Sequence, residues 1–203
     1  MIRILLLTII YFCSFSAFAA PNILVLGDSI SAGFGLNQNQ GWVSLLQQRL
    51  AIKEYPHKVI NASISGDTSS GGLRRISSAL DKHNPKIVII ELGANDGLRG
   101  LKLSQLKSNL SDITDLSLKK NAEVLILGMQ LPPNYGPTYT KAFSNVFTEV
   151  SKSKQTSIVP FLFTGFESDL DYFQADRIHP NSRAQPLILN NIWPVLFPLL
   201  NAH

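Results

Sequence analysis

Hydrophobic residues in this chain gather into five short runs, most of which stop at a glycine or a polar residue. Apolar runs with β-branched side chains are typical of strands buried inside a parallel sheet. The runs span residues 23–26, 58–62, 86–92, 123–128 and 157–161. The clearest run is Lys86 to Leu92 (K-I-V-I-I-E-L), which ends at a glycine. We therefore predict five strands.

Between these runs, apolar residues recur at the three- and four-residue spacing of amphipathic helices. The positions that predict helices are Trp42, Leu45, Leu46 and Leu50; Leu73, Ile76 and Leu80; Leu103, Leu106, Leu110 and Ile113; and Tyr139, Ala142, Phe143, Val146, Phe147 and Val150. The segment from Arg183 onward is also apolar, but Pro194 and Pro198 interrupt it. Because proline lacks an N–H, we expect Pro194 to kink or end a helix there.

Strands that alternate with helices predict an α/β fold, with a parallel sheet covered by helices on both faces. Right-handed crossovers bring the carboxyl ends of all the strands to one edge, which is where ligands bind in such sheets. The chain contains no internal repeat, low-complexity tract or linker. We expect one domain that spans residues 20–203.

Residues 1–19 have the composition of a secretory signal peptide. Arg3 gives a positive start, Ile4 to Phe18 is almost wholly apolar, and Ala17 and Ala19 are small residues suited to cleavage. The alternative is an uncleaved anchor helix, but the apolar stretch is short for a membrane span. We expect cleavage after Ala19 and an exported protein without a stable membrane anchor.

Charge and cysteine content exclude two classes of function. The formal net charge is +4, and the basic residues are scattered, so they form no nucleic-acid footprint. The chain has one cysteine, Cys13, and it leaves with the predicted signal peptide. The mature protein therefore cannot use a thiol nucleophile.

Four polar clusters follow predicted strands or lie in a late loop. They are Gly27-Asp28-Ser29, Ser65-Gly66-Asp67, Gly93-Ala94-Asn95-Asp96 and Asp176-Arg177-Ile178-His179. A serine hydroxyl becomes a nucleophile when an adjacent base takes its proton, and a carboxylate then orients that base. Ser29, His179 and Asp176 are the residue types that this chemistry needs. The backbone amides of Gly66 and Ser29 and the side chain of Asn95 are candidate donors to an oxyanion.

Two other interpretations of these clusters remain open at this point. Gly27-Asp28-Ser29 can be an ordinary turn in which Asp28 or Ser29 caps the next helix. Alternatively, Asp28, Asp67 and Asp96 with His179 can hold a divalent ion. The sequence also lacks a G-x-S-x-G nucleophile elbow, which argues against the α/β-hydrolase fold.

The motifs resemble those of the SGNH (GDSL) hydrolase family. They are G-D-S-I-S-A-G, N-A-S-I-S-G-D-T, E-L-G-A-N-D-G-L-R-G, L-P-P-N-Y-G and I-H-P-N, in the family's order along the chain. The resemblance implies a flavodoxin-like three-layer αβα sandwich with strand order 2-1-3-4-5. It also implies that Ser29, Asp176 and His179 are catalytic, that Gly66 and Asn95 complete the oxyanion hole, and that no metal or cofactor takes part.

The resemblance further implies a periplasmic hydrolase of esters, acyl-thioesters and lysophospholipids, and we expect it to be a monomer. Two alternatives are a carbohydrate O-deacetylase of the same family and a catalytically silent lipid-binding module. The loop Gly97 to Lys102 has glycines at both ends of Leu98-Arg99, so we expect it to act as a gate over the acyl chain. Residues 161–175 match the family pattern less closely than the rest of the chain.

Overall fold

The computed structural model describes residues 20–201, so the predicted signal peptide lies outside the described residues. Five parallel strands form one sheet in the order β2-β1-β3-β4-β5. The strands are β1 Asn22–Gly27, β2 Lys58–Asn61, β3 Ile87–Glu91, β4 Glu123–Leu127 and β5 Ser157–Val159. The five-stranded parallel sheet and its strand order confirm the predicted fold class.

Seven α-helices connect or follow these strands within the described residues. They are α1 Ser29–Ala32, α2 Trp42–Ile52, α3 Ser69–His83, α4 Ala94–Leu98, α5 Leu103–Lys119, α6 Pro137–Lys154 and α7 Gln185–Leu200. Helix α2 packs against α7, whereas α5 packs between α3 and α6. The two groups cover opposite faces of the sheet, which gives the three layers that alternating strands and helices predict.

The three layers determine which strands form the hydrophobic core. Every residue of β3 is buried, and so are five of the six residues of β1. A central strand that is covered on both faces has no solvent side, which is why these strands read as continuous apolar runs rather than as alternating ones. The short edge strands β2 and β5 are only partly buried.

The last helix settles one half of a prediction. Helix α7 continues through Pro194 and Pro198 to Leu200, so of the expected kink or end at Pro194 the end does not occur. Both prolines and Asn190 lie on the exposed side of the helix. Water can therefore bond the carbonyl groups that lose an N–H partner, and the buried side of α7 supplies enough apolar contact to keep the helix intact.

Candidate active site

Ser29 lies at the junction between β1 and α1, at the sheet edge formed by the strand carboxyl ends. Asp28 is the N-cap of α1, and its carboxylate accepts a hydrogen bond of 3.0 Å from the backbone N–H of Ile30. Ser29 is the first residue of the helix and is 9% exposed. The capping interpretation of this turn is therefore correct for Asp28, and the cap holds Ser29 in one place.

The structure brings the three predicted catalytic side chains together across 150 residues of sequence. The Oγ of Ser29 lies 2.9 Å from Nε2 of His179, and Nδ1 of His179 lies 2.7 Å from Oδ2 of Asp176. Phe34 packs against the imidazole, with ring centroids 4.6 Å apart. With the Nδ1 proton directed to Asp176, Nε2 is free to accept the serine proton.

The loop before His179 holds Asp176 as a carboxylate. Its Oδ1 accepts backbone hydrogen bonds from Ile178 at 2.9 Å and from His179 at 3.0 Å. Burial acts to raise the pKa of Asp176, but these bonds and the one from the His179 ring outweigh it, so the pKa lies below its ordinary value. An ionised Asp176 can orient the imidazole and stabilise its protonated form.

The two predicted oxyanion residues, Gly66 and Asn95, are connected through Arg99. The Nη2 of Arg99 donates to the carbonyl of Gly66 at 2.9 Å and to Oδ1 of Asn95 at 3.4 Å. Gly66 has a φ of 78°, a conformation that favours glycine. Sequence reasoning missed Arg99. The available signal was its position four residues after Asn95, which places both side chains on one side of a helical turn.

The three aspartates of the metal alternative are engaged with protein groups. Asp28 accepts from Asn95, Asp67 pairs with Arg75 at 2.9 Å, and Asp96 accepts from the backbone N–H and hydroxyl of Ser69. Within residues 20–201, no three His, Cys, Asp or Glu side chains are grouped so that they can hold a metal ion. The carboxylates order the loops at this edge of the sheet.

An apolar cavity of about 350 Å³ adjoins the predicted triad. Its lining includes Ile30, which follows Ser29, and Ile178, which precedes His179. The segment 161–175 supplies further lining residues, namely Phe161, Phe163, Leu170 and Phe173. These apolar side chains have no regular spacing in the sequence, so their role in one cavity could not be predicted.

The loop Gly97 to Lys102, which was predicted to be a gate, has only one of the two flexible glycines that were expected. Gly97 lies inside α4, and a Cβ there would come within 2.6 Å of the Phe143 ring, so this glycine serves close packing rather than a hinge. Gly100 has a φ of 64° and open space around it. Leu98 lines the cavity, whereas Leu101 is 43% exposed. Movement of this segment stays a prediction.

Comparison with known proteins places these residues in a family. The signature of the GDSL-like Lipase/Acylhydrolase family matches residues 25–185. The chain is 52% identical over 182 residues to Esterase TesA of Pseudomonas aeruginosa, covering 90% of each sequence. It is 40% identical over 188 residues to Thioesterase 1/protease 1/lysophospholipase L1 of Escherichia coli K12, covering 93% of this chain and 89% of that protein.

A solved structure shows the same fold. The psychrotrophic esterase EstA from Pseudoalteromonas sp., inhibited by monoethylphosphonate, superposes with a TM-score of 0.84 at 41% identity, covering 89% of this chain and 98% of EstA. The family match spans more than half of the chain and includes Ser29, Gly66, Asn95 and His179. The chain therefore belongs to the GDSL-like lipase/acylhydrolase family, the SGNH hydrolases.

Proposed function

We propose that this enzyme is a serine hydrolase of carboxylic esters and acyl-thioesters, with Ser29 as nucleophile, His179 as general base and Asp176 as the residue that orients it. The observation that carries the proposal is the continuous hydrogen-bond chain from Ser29 Oγ through His179 to Asp176. The similar proteins are named as an esterase and as a thioesterase and lysophospholipase.

The geometry suits a two-step acyl transfer. His179 Nε2 takes the proton of Ser29 as the oxygen attacks the acyl carbon, and Asp176 stabilises the imidazolium that forms. The backbone amide groups of Ser29 and Gly66 and the side chain of Asn95 donate to the oxyanion. His179 then protonates the leaving alcohol or thiol. Water, activated by His179 in turn, hydrolyses the acyl-enzyme and regenerates Ser29.

The cavity favours a lipid-like acyl group over a small one. Its lining is mostly apolar and includes Ile30 and Ile178, the neighbours of Ser29 and His179, so an acyl chain bound in it can present its carbonyl to the serine. An acetyl group would leave most of about 350 Å³ unfilled. We therefore favour esters and thioesters of medium or longer acyl chains, and lysophospholipids, over the carbohydrate acetate that an O-deacetylase would cleave.

The sequence pattern of residues 1–19 supports a proposal about the cellular location. We propose export to the periplasm with cleavage after Ala19, and a monomer as the active form. No helix within residues 20–201 is long and apolar enough to cross a membrane. N-terminal sequencing of the exported protein tests the cleavage site directly, since a chain that still begins at Met1 would contradict it.

A substrate panel tests the proposed activity. We expect the wild-type enzyme to hydrolyse p-nitrophenyl esters and acyl-CoA thioesters from acetyl to palmitoyl, with kcat/KM rising from acetyl toward medium chains. Ser29→Ala should lose at least 10³-fold of this activity, since the nucleophile is absent. A catalytically silent lipid-binding module would bind the chains and hydrolyse none. An O-deacetylase would hydrolyse only the acetyl member.

A further inference from the structure

Glu91 is a buried acidic residue at the carboxyl end of β3, and the proposed chemistry does not use it. Its exposed fraction is 0%, and it pairs in register with Gly27, the last residue of β1. A carboxyl group in the middle of a sheet is costly unless its hydrogen bonds are made. The contacts of Glu91 therefore indicate why the sequence has an acid inside an apolar run.

Within the described residues, the side-chain hydrogen bonds of Glu91 all go to the turn that holds Ser29. Its Oε2 accepts from the Ser31 hydroxyl at 2.7 Å, from the Ser31 N–H at 3.2 Å and from the Asp28 N–H at 3.3 Å. The donors lie one residue before Ser29 and two residues after it. One carboxyl oxygen thus holds both sides of the turn.

Gly27 makes this contact sterically feasible. A Cβ at Gly27 would lie 2.8 Å from Oε2 of Glu91 and 2.7 Å from Cβ of Ser31, which is closer than real side chains approach. Any larger residue would push the carboxyl group away from the turn. The glycine of the Gly27-Asp28-Ser29 motif is therefore explained by the acid on the neighbouring strand.

We propose that Glu91 is a positioning residue for the nucleophile, an inference that rests on the proposed function of Ser29. Helix α1 has only four residues, too few to be stable alone, and its first N–H groups have no partner within the helix. Glu91 satisfies the N–H of Ser31 and that of Asp28, so the Ser29 hydroxyl and amide are held ready for attack and for oxyanion binding. Without this acceptor, buried N–H groups would be left unpaired and the turn would shift.

Glu91 acts as a hydrogen-bond acceptor rather than as a charge. Burial, together with the nearby Asp28 carboxylate, raises the pKa of Glu91 well above its ordinary value. Its second oxygen, Oε1, has no hydrogen-bond partner within residues 20–201. A glutamine can place its own oxygen at the Oε2 position and its amide nitrogen at the Oε1 position, so it should preserve the turn.

The test compares kcat and KM for p-nitrophenyl butyrate among folded variants. Glu91→Leu, which has no acceptor, should lower kcat by about 10- to 100-fold with KM nearly unchanged. Glu91→Gln should stay within about 3-fold of the wild type. Gly27→Ala, whose Cβ displaces the carboxyl group by direct contact, should resemble Glu91→Leu in kcat.

A matched control separates positioning from stability. Val88→Ala removes a fully buried side chain three residues earlier in β3, so it should lower the melting temperature while kcat at 25 °C stays at the wild-type level. If Glu91→Leu does not fold, Gly27→Ala and Ser31→Ala give the same readout. Wild-type kcat in Glu91→Leu, Gly27→Ala and Ser31→Ala would overturn the inference. Equal losses of kcat in Glu91→Gln and Glu91→Leu would overturn it as well. Failure of the proposed function would instead appear as an active Ser29→Ala enzyme.

Discussion

The Nδ2 of Asn95 donates a hydrogen bond of 3.0 Å to Oδ2 of Asp28, the residue that precedes Ser29. An amide nitrogen carries two hydrogens, and this bond uses one of them. The bond from Arg99 to Oδ1 of Asn95 fixes the other end of the amide. The remaining N–H of Asn95 is thus available to a group bound at Ser29.

Asn95→Ala should therefore lower kcat by roughly 10²- to 10³-fold with little change in KM, because the oxyanion charge develops only near the transition state. Steady-state kinetics with p-nitrophenyl butyrate measures both constants. Asn109→Ala, which removes a buried amide of α5 bonded to Ser69, provides a control for general loss of stability. A change confined to KM would mark Asn95 as a substrate-binding residue.

The buried carboxyl group of Asp28 should make stability depend on pH. Burial raises the pKa of Asp28 from 3.8 to about 6. Between pH 4 and pH 6 the folded state then keeps a proton that the unfolded chain has released, so the contribution of Asp28 is full below pH 4 and is lost as the pH rises through 6. A shift of this size corresponds to about 3 kcal/mol.

Urea unfolding across this pH range measures that contribution. The wild type should lose stability from Asp28 as the pH rises from 4 to 6, and Asp28→Asn should flatten the dependence in this window. Asp81→Asn, at an exposed position on α3, should keep the wild-type curve. Parallel curves for the wild type and Asp28→Asn would contradict the raised pKa.

Leu98 and Leu101 should select for chain length. Contact with an acyl chain is worth about 0.8 kcal/mol for each buried methylene, which is a few-fold in kcat/KM. Replacing both leucines by serine should penalise decanoyl and longer substrates much more than acetyl or butyryl ones. Leu118→Ser on α5, a position 37% exposed, should leave the ratio unchanged. A flat ratio of kcat/KM across the chain lengths in the double variant would contradict a gate or wall formed by these residues.

How much the sequence could predict depended on whether a feature had a regular pattern. The rule that strand ends meet at one edge predicted the position of Ser29, whereas its pairing with His179, 150 residues later in a loop, was expected from the residue types and the family resemblance. Glu91 was missed because its apolar neighbours made the whole segment read as a buried strand. The one acid in that run was the signal that its position required a partner.

Features that depend on tertiary contacts were harder to predict from the sequence. Pro194 suggested a kink or an end of the helix, but its exposed position lets α7 continue to Leu200, and exposure cannot be inferred from the proline itself. Similarly, Gly97 suggested a hinge, whereas the Phe143 ring packed against it explains the glycine. In both cases the effect of the residue on the backbone depended on its tertiary surroundings, which are solvent for Pro194 and the Phe143 ring for Gly97.

Covalent labelling of Ser29 tests the central claim most directly. An organophosphate such as diethyl p-nitrophenyl phosphate should release one equivalent of p-nitrophenol and abolish activity, because an activated serine attacks phosphorus as it attacks an acyl carbon. Peptide mass spectrometry should find the diethylphosphoryl group on Ser29, and His179→Ala should react at least 10²-fold more slowly because the base is absent. Full activity after exposure to the reagent, or a label on a residue other than Ser29, would contradict the account.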